Sequence, residues 1–191
     1  MTAAEVDQAR ELIAGSSVFV AQLELSMPVV EHGLALAHTL GVPTILNPAP
    51  AAPLSESIYQ YIDYITPNET EAAALTGIPV TSIADAERAA DAFLVRGVPN
   101  AIITLGAQGA FVKNARVKAH VPAVNAGQVV ETTGAGDAFN GGFAVALSEG
   151  MDLVEATRFG CVTAGISITR PGTAPSMPTR AEIDALCNKR V

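Results

Sequence analysis

The sequence has no tryptophan and few aromatic residues of any kind: phenylalanine, tyrosine and tryptophan together make up 5% of it. Aliphatic side chains must therefore fill the core, which is typical of a parallel sheet covered by helices on both faces. Basic residues are also scarce, because 11 lysines and arginines face 19 aspartates and glutamates and leave a net charge of −8. This balance offers no basic stripe for a phosphate backbone and argues against a nucleic-acid partner.

Cysteines and long apolar runs are lacking as well. Cys161 and Cys187 are the only cysteines and show no metal-ligand spacing, so we expect reduced thiols in a cytoplasmic protein. No run of 18 apolar residues is present, and we therefore expect no membrane span. The acidic residues Glu5 and Asp7, with no apolar stretch beside them, argue against a signal peptide.

Short apolar runs alternate with segments at helical spacing along the 191 residues, of which 49% are hydrophobic. This length and composition suffice for one domain, so we treat 1–191 as a single α/β nucleotide-binding and catalytic domain. The alternation predicts a mostly parallel sheet. We predict strands at 18–23, 43–46, 62–66, 101–105, 110–113 and 117–121, and helices at 2–14, 28–40, 54–61, 68–76 and 82–96, two more after Asp137, and one from Thr179.

A small-residue turn is the most informative segment. Gly134, Ala135 and Gly136 lead into Asp137 and an apolar segment of helical character. A helix that opens there presents unpaired N–H groups and partial positive charge, and glycine lets a phosphate approach the backbone. Asp137 would sit beside that phosphate, placed to accept a proton from an attacking hydroxyl. The turn therefore favours phosphoryl transfer to an alcohol, although an ordinary glycine-rich helix start has the same residues.

Polar or glycine-rich residues also follow each predicted parallel strand. In α/β sheets, ligands bind at the carboxyl ends of the strands. The convergence of these residues with the glycine turn favours one nucleotide-and-substrate site. The residues are Gln22 and Glu24, Asn47, Asn68 and Glu71, and Gly106 and Gly109.

Several motifs, in the right order, resemble those of the PfkB carbohydrate kinases. Glu131–Gly141 resembles the family's second signature, of the D-T-x-G-A-G-D type; Thr66–Glu71 resembles its N-x-x-E segment, and Thr104–Gly109 its T-L-G-x-x-G nucleotide loop. Asn47–Pro50 and Gln22–Glu24 resemble the ribokinase branch of the family. The resemblance implies a Rossmann-like, three-layer αβα fold of the ribokinase type. It also implies ATP-dependent phosphorylation of D-ribose at its primary (5-) hydroxyl.

The resemblance further implies roles around the reacting phosphoryl group. Asp137 is the general base on the sugar hydroxyl, and Gly134–Gly136 donate N–H groups to the transferring phosphoryl group. A carboxylate is a weak base for an alcohol, so positioning matters more than proton affinity. Asn68 and Glu71 organise Mg²⁺ and the nucleotide phosphates, Glu71 mainly through water. From the residues alone, the pair also fits an N-cap asparagine with a first-turn glutamate.

Other residues match the family's nucleotide and sugar contacts. Thr104, Gly106 and Gly109 would line the nucleotide, and Cys161 falls near the adenine pocket. Glu24 would hold a sugar hydroxyl. Each has a plainer alternative: a strand-to-hairpin turn for the nucleotide loop, core packing for Cys161, and a solvated carboxylate for Glu24.

A potassium-binding loop is also implied, built mostly from backbone carbonyls. The family usually has Asp where this chain has Glu131, whose longer side chain changes the geometry. The alternative for the segment that begins at Arg170 is a surface turn. The residues that match the loop are Glu131, Thr133, Ser167, Arg170, Gly172 and Ser176.

The chain resembles only the C-terminal two-thirds of the family's members. The remainder would contain the first strands, a β lid, a sugar-gripping Asp and a Gly-Gly-Lys loop. We therefore expect residues 1–191 alone to bind ATP·Mg weakly, to turn over little ribose and to self-associate, and the full-length enzyme to be a homodimer. Two alternatives stay open: a non-catalytic nucleotide-binding fragment, and a kinase for another sugar such as fructose or 2-keto-3-deoxygluconate. A Rossmann dehydrogenase is more distant, because no G-x-G-x-x-G follows the first strand.

Overall fold

The computed structural model describes residues 1–188 as a mixed α/β fold, which confirms the predicted class. One sheet has the strand order β1-β2-β3-β4-β5-β6, in which β1 to β4 are mutually parallel. The strands are β1 (Phe19–Ala21), β2 (Thr44–Leu46), β3 (Tyr64–Ile65), β4 (Asn100–Thr104), β5 (Ala110–Lys113) and β6 (Lys118–Val121). The helices are α1 (Ala3–Gln8), α2 (Arg10–Ala14), α3 (Met27–Thr39), α4 (Glu69–Thr76), α5 (Ile83–Val95), α6 (Ala135–Ser148), α7 (Leu153–Ser167) and α8 (Arg180–Cys187).

The chain divides into two compact units. Unit 1 comprises Met1–Leu105 and Phe111–Ala119, and unit 2 comprises Gly106–Ala110 with the described residues 120–188. Unit 1 contains α1 to α5 and the parallel strands, and unit 2 contains α6 to α8. Within residues 1–188, no helix combines the length and apolar character needed to cross a bilayer.

Aliphatic side chains make up most of the core of unit 1, as the shortage of aromatics predicts. Leu46, Ile65 and Ile103, one from each of three adjacent strands, pack in a cluster with Leu34 of α3 and Phe93 of α5, and all five are fully buried. Each such side chain contributes roughly 1.5–3 kcal/mol by leaving water. All three residues of β2 are buried, which is typical of a parallel strand covered on both faces.

Helices α6 and α7 form the centre of unit 2 and approach each other closely. A Cβ placed on Gly142 would lie 2.3 Å from the hydroxyl oxygen of Thr163, and one on Gly160 would lie 2.9 Å from the Phe139 ring. Phe139 and Phe143 stack with their ring centroids 5.9 Å apart. Glycine at these two positions therefore sets the distance between the helices.

The helix boundaries follow local sequence signals. Capping boxes open α1 at Thr2 and α8 at Thr179, where helices were predicted to begin, and Asn68 opens α4 in the same way. Gly41, with φ at +73°, follows the end of α3 and accounts for its termination. A further capping box at Asp152 opens α7.

Two predicted helices differ from the structure. The helix expected over 54–61 is wrong: only a short 3-10 helix, Tyr59–Tyr61, forms there. The hydroxyls of Ser55 and Ser57 both donate to Glu31 of α3, so the segment makes tertiary contacts, and these can override a local helical preference. The helix expected over 2–14 is interrupted at Ala9, which separates α1 from α2.

The start of α5 gives a prediction about pH. Asp85 accepts hydrogen bonds from the hydroxyl of Thr81 at 2.8 Å and from its backbone N–H at 3.0 Å, which lowers the pKa of Asp85 from its ordinary 3.8 to about 2. A lowered pKa means that this contribution to stability is complete above pH 3.8 and is lost as the pH falls through 2. We expect a ¹³C titration of the Asp85 carboxyl carbon to show a midpoint near 2. A midpoint near 3.8 would mean that the Thr81 contacts do not persist in solution.

Candidate active site

Unit 1 carries a row of linked polar groups where its parallel strands end. Gln22, after β1, donates from its amide to the side-chain oxygen of Asn47, after β2, at 3.2 Å. Asn47 in turn donates to the carbonyl of Thr66, after β3, at 3.2 Å, and is itself 6% exposed. The structure thus brings Gln22 and Asn47 together at the carboxyl edge of the sheet, as expected.

The row continues to the end of β4. Asn68 pairs with Thr104 in a parallel bridge, and the Thr104 N–H donates to the carbonyl of Pro67 at 2.9 Å. The Thr104 hydroxyl lies 3.4 Å from the same carbonyl. Asn68 and Thr104, predicted nucleotide contacts from separate motifs, are therefore direct neighbours in unit 1. Glu24 follows β1 in the same unit and is exposed to solvent.

Asn68 and Glu71 form a reciprocal cap at the start of α4. The Asn68 oxygen accepts the Glu71 N–H at 2.9 Å, while the Glu71 carboxylate accepts the backbone and amide N–H groups of Asn68, each at 2.9 Å. Glu71 is 8% exposed. Burial raises the pKa of Glu71, although the bonds from Asn68 lower it. A carboxylate withdrawn from water in this way favours a nearby cation, so a capping role and a role near Mg²⁺ are compatible.

In unit 2, the small-residue turn forms the N-terminus of α6. Gly134 is the N-cap with φ at +79°, a conformation that favours glycine, and its Cβ position lies 3.1 Å from a methyl carbon of Thr173. The Ala135 N–H donates to the carbonyl of Thr132 at 3.1 Å. Gly136 is exposed, with nothing within 4 Å of its Cβ position. Asp137 is exposed in the first helical turn. The Asp137 carboxylate therefore lies beside the exposed backbone of Gly136.

The predicted nucleotide loop divides between the units, with Thr104 in unit 1 and Gly106 and Gly109 in unit 2. Gly109 has φ at +94°, and a Cβ there would lie 2.1 Å from the carbonyl oxygen of Val121. The fold therefore requires glycine at 109 whatever its ligand role. Gly106, with φ at +50°, opens a 3-10 turn, Gly106–Gln108.

The predicted cation loop is joined by hydrogen bonds within unit 2. The Glu131 carboxylate accepts the N–H of Gly172 at 2.7 Å. That bond, followed by one from the Thr133 hydroxyl, lowers the pKa of Glu131. The Ile168 carbonyl accepts the N–H groups of Val130 at 2.8 Å and Glu131 at 3.2 Å. The longer side chain of Glu131 thus reaches the loop.

The other predicted loop residues hold the segment in shape. Ser167 is 3% exposed at the end of α7, and Ser176, 1% exposed, donates from its hydroxyl to the Thr173 carbonyl at 2.7 Å. The Arg170 guanidinium pairs with Glu182, so the backbone carbonyls are what this segment offers a cation. Thr173 and Ile168 carry no sequence signal, because they contribute a methyl group and a backbone carbonyl.

Cys161 lies in α7 and is 6% exposed. Burial raises the pKa of its thiol to about 12, which favours the protonated sulfur and a packing role. In the described part of the chain, no three His, Cys, Asp or Glu side chains cluster in a way that would hold a metal ion. A magnesium ion here would depend on one carboxylate, water and nucleotide phosphates, which is the coordination that Mg²⁺ usually takes.

Comparison with known proteins identifies the relatives of this chain. The family model described as "pfkB family carbohydrate kinase" matches residues 2–180. A ribokinase of Haemophilus influenzae is 44% identical over 177 residues, covering 93% of this chain and 58% of that protein. A ribokinase of Staphylococcus aureus is 37% identical over 187 residues, covering 96% of this chain and 60% of that protein.

Solved structures of ribokinases are also similar to this chain. Arabidopsis thaliana ribokinase complexed with ribose and ATP superposes with a TM-score of 0.90 at 30% identity, covering 94% of this chain and 58% of that one. Ribokinase from Thermotoga maritima gives a TM-score of 0.83 at 40% identity, covering 94% of this chain and 59% of that one. The chain thus spans 58–60% of the length of these relatives.

Proposed function

The chain belongs to the pfkB family of carbohydrate kinases, and we propose that it transfers the γ-phosphoryl group of ATP to the primary (5-) hydroxyl of D-ribose. The observation that carries this proposal is the start of α6, where exposed Asp137 lies beside the open backbone of Gly136. The helix N-terminus stabilises the anionic phosphoryl group. Asp137 accepts the proton of the sugar hydroxyl as the new P–O bond forms and the bond to ADP breaks.

The sugar is proposed from the relatives. The relatives from Haemophilus influenzae and Staphylococcus aureus are named ribokinases. The Arabidopsis ribokinase structure is a complex with ribose and ATP. The test compares initial rates of ADP release with ribose, fructose and 2-keto-3-deoxygluconate at matched concentrations. The assay uses the full-length protein that contains residues 1–191. We expect the highest kcat/KM with ribose. A higher kcat/KM with fructose or 2-keto-3-deoxygluconate would identify that sugar as the substrate instead. ADP release that does not depend on a sugar would contradict a sugar kinase.

Magnesium supplies charge neutralisation at the nucleotide phosphates, and we propose that Asn68 and Glu71 orient it through water. Glu71→Gln removes the charge but keeps a side-chain oxygen for the cap of α4, since Gln also completes a capping box. We expect this variant to need about 10- to 100-fold more Mg²⁺ for half-maximal activity. The measurement is a Mg²⁺ titration at fixed ATP.

The neighbouring Glu69 provides the matched control, because it is another acidic residue in the first turn of α4. Glu69→Gln should leave the Mg²⁺ requirement unchanged. If the two variants shift the titration equally, the shift comes from the loss of any negative charge at the start of α4. Glu71 then has no specific role in holding the metal.

We also propose that K⁺ binds the loop joined by Glu131 and Gly172 and stiffens the turn that carries Asp137. The support is the bond between these two residues and the contact of Thr173 with Gly134. We expect K⁺ to raise kcat severalfold over Na⁺ at equal ionic strength, and Glu131→Gln to reduce this difference. Equal rates in the two salts would exclude potassium activation.

The proposed reaction needs only small-molecule partners, the sugar and ATP. We propose a cytoplasmic location, with which the two free cysteines, Cys161 and Cys187, agree. The net charge of −8 is unsuited to a nucleic-acid partner. We further propose that the full-length enzyme is a homodimer, which sedimentation of the purified protein would test.

A further inference from the structure

Unit 1 contains a cavity of about 310 Å³ that the proposed reaction does not use. The loop after β2 supplies Ala51 and Leu54 to its lining, and the C-terminal end of α4 supplies Ala74 and Leu75. Arg96, which follows α5, also lines it. The cavity thus lies at the opposite end of α4 from the Asn68–Glu71 cap. Its volume is at the small end of the roughly 300–1,000 Å³ that ligand pockets occupy.

The guanidinium of Arg96 is fixed in orientation at this cavity. One terminal nitrogen, Nη1, donates to the Leu75 carbonyl at 2.7 Å and to the Tyr59 hydroxyl at 3.2 Å. The Arg96 Cζ atom also lies 5.3 Å from the centroid of the Tyr59 ring, and Tyr59 is 2% exposed. These contacts engage one edge of the group and leave its other N–H donors for a ligand, because an arginine has five.

Arg96 also differs from the other basic side chains of residues 1–188. Arg88, Lys113, Lys118, Arg170 and Arg180 each have a carboxylate within 4.0 Å. The basic residues without one are Arg10, Arg96, Arg116 and Arg158, and of these only Arg96 is not exposed to solvent. A cation that is partly withdrawn from water and has no carboxylate within 4.0 Å favours an anion at that place.

We propose that this cavity binds a small monocarboxylate with an apolar chain. The carboxylate lies on the guanidinium of Arg96, which matches a planar, two-oxygen anion. The chain lies against the side chains of Leu54 and Leu75. Glu56 lines the same cavity and is exposed, so its charge opposes any anion, and it opposes ATP and inorganic phosphate, which carry more negative charge, more strongly than a monocarboxylate.

Calorimetric titration with acetate, butyrate and hexanoate at constant ionic strength tests the proposal. We expect saturable binding that tightens by about two- to fourfold for each added CH₂ group. Arg96→Gln should weaken hexanoate binding at least tenfold, and Glu56→Gln should strengthen it. Arg116→Gln, the loss of an exposed and unpaired arginine of the same unit, should leave it unchanged.

Because Arg96 also supports Leu75 and Tyr59, a second variant keeps the test independent of folding. Ala74 is exposed on α4 and lines the cavity, so Ala74→Leu should narrow the cavity at little cost to the helix and weaken hexanoate binding. The proposal is overturned by absence of saturable binding, by equal affinity in Ala74→Leu, or by phosphate or ATP displacing hexanoate. Asp137→Asn should leave hexanoate affinity unchanged, which separates this site from the proposed kinase reaction.

Discussion

Replacing Asp137 with Asn is expected to lower kcat for ribose-dependent ADP release by about 10²–10⁴-fold. Asn has nearly the same shape but cannot take the proton of the sugar hydroxyl. Nucleotide affinity should change little, because the proposed phosphate contacts come from the backbone of the turn. The measurement is steady-state kinetics of the full-length protein that contains residues 1–191, with the concentrations of both substrates varied.

Asp137 also lies in the first turn of a helix, where a negative charge is stabilising. A matched control is Glu155→Gln, which removes a first-turn carboxylate from α7 in the same unit. This control should keep a normal kcat. A near-normal kcat in Asp137→Asn would remove Asp137 from the mechanism, and an equal fall in both variants would indicate that unit 2 had been destabilised.

Replacing Gly109 with Ala is expected to cost about 3–5 kcal/mol in the free energy of unfolding. The φ angle of +94° is unfavourable for any residue with a Cβ. The new Cβ would lie 2.1 Å from the Val121 carbonyl oxygen and 2.4 Å from the Ala123 nitrogen, both of them backbone atoms that cannot rotate away. Urea unfolding followed by far-UV circular dichroism measures the loss, since the chain has no tryptophan to report by fluorescence.

Gly150→Ala separates the cost of the positive φ angle from the cost of the close contact with backbone atoms. Gly150 lies in the same unit with φ at +80°, but nothing is within 4 Å of its Cβ position. It should therefore lose only the conformational part, roughly 1–2 kcal/mol. If both variants lose the same stability, the close approach to Val121 is not maintained in solution.

Local signals explain why much of the fold was predictable. The capping boxes at Thr2, Asn68 and Thr179 are short patterns in which side chain and backbone satisfy each other, and each marks the start of a helix. The helix expected over 54–61 was wrong, and the contacts of its serines with Glu31, a residue far away in sequence, are not visible in the local pattern. Nothing in the sequence marks the interruption at Ala9.

The candidate site was predictable where it depends on strand order. Residues that follow parallel strands share one sheet edge, and the bonds from Gln22 to Asn47 and from Asn47 to Thr66 confirm this for unit 1. The cavity at Arg96 was not predictable, because a loop and two helix ends distant in sequence form it. From the sequence alone, an arginine near a helix end indicates only a favourable charge at a C-terminus.

Label transfer from γ-³²P-ATP to ribose and to 5-deoxyribose shows whether the primary hydroxyl of ribose receives the γ-phosphoryl group. 5-Deoxyribose lacks only the primary hydroxyl that the proposed reaction phosphorylates. With the full-length protein that contains residues 1–191, we expect label in ribose 5-phosphate, formed in equal amount to ADP, and none in 5-deoxyribose. Label in both sugars would place the transfer at another hydroxyl, and ATP binding without transfer to ribose would contradict the assignment of a ribose kinase.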